Sequence, residues 1–117
     1  MSFTSPIPER LKEARKKAKI SQKALGERIG MDESSASPRM NQYEKGKHTP
    51  DIGTLKALAD ELGVPLSYFF CEDKVSAELA VNLNKLSQTD KQKVLEMTAR
   101  LLEESGKVAG SKDRKEV

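Results

Sequence analysis

The chain has 117 residues, 36% hydrophobic and 33% charged, with no Trp and a formal net charge of +3. That length suits one small domain, or a domain with an appendage, and this polarity allows a helical core but not a large one. No run of 18 apolar residues occurs and the opening MSFTSPIPER lacks the charged and apolar regions of a signal peptide, so neither a membrane span nor export is expected. The single cysteine, Cys71, rules out an internal disulfide and points to a cytoplasmic setting; beside Phe69 and Phe70 it reads as a small buried or half-buried hydrophobe. With that one Cys and one His (His48, in a turn) no zinc set can be built, and no metal or cofactor is expected. Residues 1–50 carry 11 Lys/Arg against 6 Asp/Glu, whereas residues 51–117 carry 10 against 12. A basic first half fits a polyanionic partner, and it also fits a merely solvated charged face.

Apolar residues recur at helical spacing throughout and no stretch alternates with period two, so the fold class is all-α. Residues 1–6 read as an N-terminal arm. The first helix starts near Pro8, where a missing N–H costs nothing. It turns Leu11, Ala14 and Ala18 inward, with Ile20 just beyond. Ser21 is placed to cap a second helix, Gln22–Ile29, with Leu25 and Ile29 on one face. Gly26 inside it costs about 1 kcal/mol relative to Ala, which suggests that another helix passes close by. Gly30 stops it, and MDESSA reads as a polar connection.

The next segment, SSASPRMNQYEKGKHTP, combines a helix breaker with side chains suited to reading a DNA groove. At 100° per residue, Pro38, Asn41, Gln42 and Lys45 fall on one side, Arg39 on the flank, and Met40 and Tyr43 on the other. Asn and Gln can pair bidentately with adenine, and Arg with guanine; an exposed amide-rich face is otherwise unremarkable. With Ser37 as N-cap, Pro38 becomes the first helical residue and the helix spans Pro38–Lys45. The competing start, at Ser34 or Ser35, turns Ala36 to the core and pushes Pro38 into the first turn. The later start is preferred.

Gly46 ends that helix and His48-Thr49-Pro50 is a turn. Asp51–Leu62 follows, with Leu55, Leu58, Ala59 and Leu62 as its stripe, and Gly63 stops it. Pro65–Phe69 is a short fifth helix. Helical spacing resumes over VSAELAVNLNKL. Ser87 then caps a long last helix, Gln88–Ser105, in which Val94, Met97, Thr98 and Leu101 form a row beside Leu95 and Leu102. Residues 106–117 lack periodicity and are expected to be disordered.

SQKALGERIG, RMNQYEKGKHTP and LKALADELGVPLSYFF, in that order, resemble the phage-repressor (Xre/Cro-type) helix-turn-helix family. The resemblance covers about residues 7–72. It implies a five-helix lambda-repressor-like DNA-binding domain over residues 7–73 and a role in regulating transcription. It implies phosphate contact at Gln22, Lys45 and Lys47, base-facing positions at Ser37, Pro38 and Gln42, and an ion pair between Arg15 and Glu44. The physical reading of Glu44 agrees, since an unpaired carboxylate toward the core is costly. One departure is the longer stretch between Gly30 and Glu44, which puts Ser37 and Pro38 in question and brings the Ser34–Ser35 loop near DNA.

On this reading Ser37, Arg39, Asn41 and Gln42 face base edges, and Gln22, Lys23, Lys45 and Lys47 face phosphate, with Lys17 a weaker candidate. Arg39 suits either role. Residues 74–105 form a C-terminal helical hairpin whose broad apolar face, Val94, Leu95, Met97, Leu101 and Leu102, is the candidate homodimer contact. The same face would otherwise pack on the preceding helix or receive a protein antagonist. The leading function is a sequence-specific double-stranded DNA-binding regulator, a repressor acting as a dimer on a palindromic operator. The alternative is an antitoxin-like or adaptor protein whose C-terminal helices bind a partner. No nucleophile–base pair, phosphate-cradling glycine loop or metal set is present, so no enzyme is expected.

Overall fold

The computed structural model describes residues 2–106; the expectation for the tail lies, Gly106 apart, outside the described residues. Six α-helices follow one another: α1 (Ile7–Lys17), α2 (Gln22–Arg28), α3 (Glu33–Glu44), α4 (Ile52–Leu62), α5 (Lys74–Lys85) and α6 (Gln88–Glu104), with a 3-10 helix, Leu66–Phe70, between α4 and α5. No strand occurs among the described residues. Two compact units result, one ending at Asn84 and one starting at Lys85.

Local chemistry explains most of the boundaries. The Ser21 side chain accepts from the Ala24 N–H, Asp51 from Thr54 and Ser87 from Asp90, each serving one donor that a helix start leaves unpaired. Asp73 does the same for Ser76 at the head of α5, at 2.8 Å. Gly63 closes α4 in the left-handed region, at φ 70°. The 3-10 helix stands where the short fifth helix is expected.

Three boundaries or orientations depart from expectation. Ala18 is exposed rather than inward, because α1 ends at Lys17. Lys19 there takes φ 58°, and Ile20 N–H reaches back to the Arg15 carbonyl at 3.3 Å, so the chain turns away before Ala18 can face the core. The second departure is the start of α3. Its N-cap is Asp32, not Ser37, and Pro38 lies inside the helix. The residues ESSA therefore lengthen the helix instead of the turn. The carbonyl deprived of its donor by Pro38 belongs to Ser34, an exposed residue that water can serve. What fixes this start is Ala36, fully buried against Gly26 of α2. The third is Arg10, which is 2% exposed although its type is almost never buried. Its Nη1 donates to the Asp73 carbonyl at 3.4 Å and its Nε faces Glu13 at 3.6 Å. Tyr68 donates its hydroxyl proton to the same Glu13 carboxylate. Burial, then that hydrogen bond, pushes the Tyr68 hydroxyl well above its ordinary pKa.

The core of the first unit joins Ile7, Leu11 and Ala14 of α1 to Leu25, Met40, Leu55, Leu58, Ala59, Tyr68, Phe69 and Ala77. Each fully buried Leu, Met or Phe contributes about 1.5–3 kcal/mol relative to exposure. Ala77 places α5 in this core, and the half-buried Cys71 packs at its edge, its thiol near the Ser67 carbonyl. In the second unit α6 exposes Leu95, Met97, Leu101 and Leu102, with Val94 less exposed.

Candidate nucleic-acid interface

The packing of α3 decides what it shows to solvent. Ala36, Met40 and Glu44, four residues apart, face inward. The opposite side then carries Ser34, Pro38, Arg39, Gln42 and Lys45, with Ser37 and Asn41 half-buried on the border next to α2. Gln42 is also half-buried, while Arg39, Lys45 and Lys47 are exposed. Among the described residues no carboxylate comes within ion-pair distance of Arg39, Lys45 or Lys47. The unpaired cations and the amides thus share one surface. Lys23 differs: its ammonium reaches Glu33 at 3.1 Å, between two exposed side chains, a pairing of small energy that water and salt readily replace.

Beneath this surface runs a half-buried polar chain centred on the buried Glu44. Arg15 donates from Nη2 to Glu44 Oε1 at 3.0 Å and from Nε to Oε2 at 2.5 Å, a bidentate pair. Arg15 also donates to the Ile20 carbonyl at 3.0 Å, tying down the turn after α1. The side chains are 13% and 3% exposed, and the hydrogen bond to Glu44 raises the already high pKa of the guanidinium, so it stays charged. Gln22 Nε2 donates to Glu44 Oε1 at 3.0 Å and to Asn41 Oδ1 at 3.3 Å. One carboxylate therefore locks α1, the first residue of α2, and the end of α3 together.

The Arg15–Glu44 ion pair stands as the family resemblance implies; sequence reasoning finds Gln22 and Asn41 separately and misses the bonds that join Gln22 to Glu44 and to Asn41. Gln22 precedes Asn41 by 19 positions, and a single-helix projection cannot show a bond between helices. Ser37 lies mid-helix on the border of the exposed face, not at a helix start. Arg39 borders a recess of about 280 Å³ shared with Ile29, Met31, Asp32, Tyr43 and Thr54. Lys17 is exposed at the far end of α1. No group of three potential metal ligands occurs among the described residues.

A helix-turn-helix family model matches residues 11–69, which contain α1 from Leu11 onward, α2, α3, α4 and most of the 3-10 helix. The chain is 27% identical over 99 residues to the immunity repressor protein of Bacillus phage phi105, covering 85% of this chain and 66% of the relative. It is 36% identical over 64 residues to the uncharacterised HTH-type transcriptional regulator y4aM of Sinorhizobium fredii, covering 55% of this chain and 42% of that one. The matches thus span about two thirds or less of these curated relatives. The crystal structure of the transcriptional regulator BswR superposes with a TM-score of 0.75 at 40% identity, covering 86% of this chain and 98% of that one.

Proposed function

The chain belongs to the phage-repressor-like helix-turn-helix family, and from that premise we propose that it is a sequence-specific regulator of transcription that binds double-stranded DNA as a dimer, acting as a repressor at a palindromic operator. The named relatives are a repressor and transcriptional regulators, not enzymes. The observation that carries the reading is the outward face of α3, where Arg39 and Lys45 have no ion-pair partner among the described residues and Gln42 lies beside them, on a helix fixed from behind by Met40 and Glu44. A reading helix must be rigid and must present donors and acceptors that its own fold has not consumed.

The roles divide by chemistry. Lys45 and Lys47, with Lys23 once released from Glu33, take phosphate and supply most of the affinity. Arg39, Asn41 and Gln42 face base edges, with Ser37 at the border. Gln22 lies on the same edge with its amide nitrogen already committed to Glu44 and Asn41. One short helix reads few base pairs, so two copies are needed for a long site, with half-sites about 34 Å apart. The exposed leucines of α6 provide an apolar surface for pairing two copies.

Selection from a random duplex pool tests this directly. An enriched palindrome, a steep salt dependence on the winning and a scrambled duplex, and a Gln42→Ala loss confined to the winner are expected. Equal weak binding to every duplex would sink the reading.

A further inference from the structure

Pro38 stands where a helix tolerates proline least. The Ala36 N–H already bonds the Asp32 carbonyl at 2.9 Å, so the backbone ladder of α3 is running before the proline is reached. Pro38 cannot continue it. It has no N–H, and its ring crowds the Ser34 carbonyl that the N–H would have met. No residue type is less favourable in a helix interior. The packing of α3 takes nothing in return: Pro38 is exposed, and the residues that hold the helix from behind are Ala36, Met40 and Glu44. A cost carried on the surface and unused by the core points to what that surface meets.

The place of the ring narrows what it can meet. Ser34 and Gln42, four residues to either side, share the outward face with Arg39 and Lys45. All four are polar, and Pro38 is the apolar spot among them. Its ring, joined to the backbone nitrogen, leans toward the N-terminal end of α3, the end that a reading helix points into the major groove. The ring has no donor and no acceptor, so it forms no hydrogen bond with N7 or O6 of guanine, N6 of adenine or N4 of cytosine. One base carries an apolar group on its edge in that groove, the C5-methyl of thymine. We propose that Pro38 is a specificity-determining residue, packing its ring on a thymine methyl and selecting a T·A pair at the position it faces. The proposal rests on the DNA-binding reading above. It also accounts for the cost: α3 gives up helix stability for an apolar contact that its polar neighbours cannot make.

The test compares the duplex enriched by the wild-type protein with versions in which each thymine in turn is replaced by uracil. That change removes the methyl and leaves base pairing and every donor and acceptor in place. Wild type is expected to lose about three- to fivefold in affinity at one thymine of a half-site, the worth of one buried methyl. In Pro38→Ala, which keeps Cβ and loses the rest of the ring, the same replacement costs about twofold, and in Pro38→Ser less than about 1.5-fold. This non-additivity is the signature of contact. A proline that only shaped α3 would change affinity for every duplex by one factor and leave the methyl effect at its wild-type size. Pro38→Ala is expected to melt about 5–15 °C above wild type, so a lost methyl effect cannot be ascribed to unfolding. Methyl effects of wild-type size in both variants overturn the proposal and leave DNA reading intact. So does a winning duplex in which no uracil replacement weakens wild type. If wild type enriches no site, the DNA-binding reading falls and takes the proposal with it.

Discussion

Gly26 of α2 and Ala36 of α3 touch so closely that a Cβ on Gly26 would lie 2.8 Å from the Ala36 Cβ, 3.0 Å from its Cα and 3.1 Å from its carbonyl oxygen. This contact sets the spacing of the two helices that carry the candidate interface. Gly26→Ala gains about 1 kcal/mol of helix propensity, yet the overpacking is larger because none of the three atoms is the end of a flexible side chain. The melting temperature is expected to fall by about 5–15 °C. Adding Ala36→Gly removes one of the three obstructions and leaves two backbone atoms, so it does not restore the wild-type value. A thermal melt of Gly26→Ala at or above wild type would show that the helices separate without strain.

The same contact explains why the sequence misleads about α3. Ser37-Pro38 is a strong helix-start signal, whereas Asp32, the actual N-cap, makes no side-chain cap hydrogen bond. Burial of Ala36 against Gly26 outweighs the local signal, and only the paired helices reveal it. Ser21, Asp51 and Ser87 cap as their residue types suggest, each through a bond to a backbone N–H three residues on in its own turn. Gly26 announces a close neighbour without saying which one. Arg10 gives no warning of its burial: in a basic helix it looks like one more solvated cation, and the Asp73 carbonyl that serves it lies 63 residues away.

Glu44→Ala takes the shared carboxylate from the Arg15 guanidinium and the Gln22 amide, at a site where the Arg15 and Glu44 side chains are 13% and 3% exposed. Breaking one side of a buried pair costs about 3–5 kcal/mol. Denaturant midpoints should report that loss almost equally at low and at high salt, because a buried pair is poorly screened. Replacing both partners, Arg15→Met with Glu44→Leu, is expected to recover most of the stability. A loss that vanishes in high salt would place the pair at the surface.

Asp51 and Asp73 both hold their carboxyls below the ordinary value of 3.8, chiefly through the hydrogen bonds they accept from Thr54 and Ser76. A carboxyl whose pKa is lower folded than unfolded stabilises the fold above the unfolded value and loses that contribution as pH falls through the folded one. The melting temperature is therefore expected to drop below about pH 4. Asn also caps helices without titrating. Asp51→Asn with Asp73→Asn should leave the neutral-pH melt near wild type and flatten the acid limb between about pH 4 and pH 2. Circular dichroism melts across that range check it, and an acid limb of unchanged slope would assign the loss to other carboxylates.

Phosphate and base contacts separate by their salt dependence. Lys45→Ala and Lys47→Ala are each expected to weaken binding to the winning and scrambled duplexes alike, and to reduce the salt slope by about one. Arg39→Ala distinguishes its two candidate roles. A loss of about 1–3 kcal/mol on the winner alone marks a base contact, and a uniform loss with a reduced slope marks phosphate. Gln42→Ala should leave the slope unchanged, having no charge to release counterions. A slope unchanged in both lysine variants would move the phosphate path to another face.

Leu95, Met97 and Leu101 are each more than half exposed on α6, and Leu102 is 44% exposed. Four large apolar side chains on one amphipathic helix are an unusual load to leave in water. A standard interface removes about 800 Å² from each partner, and a 17-residue helix contributes a large part of that area. Leu95→Glu with Leu101→Glu is expected to convert a dimer to a monomer in sedimentation velocity. The melt of the first unit should hardly move, since its core residues all precede Asn84. Operator affinity should then fall much further than affinity for an isolated half-site, because only the full operator gains from two linked reading helices. A wild-type protein that sediments as a monomer at tens of micromolar would remove α6 from the dimer reading.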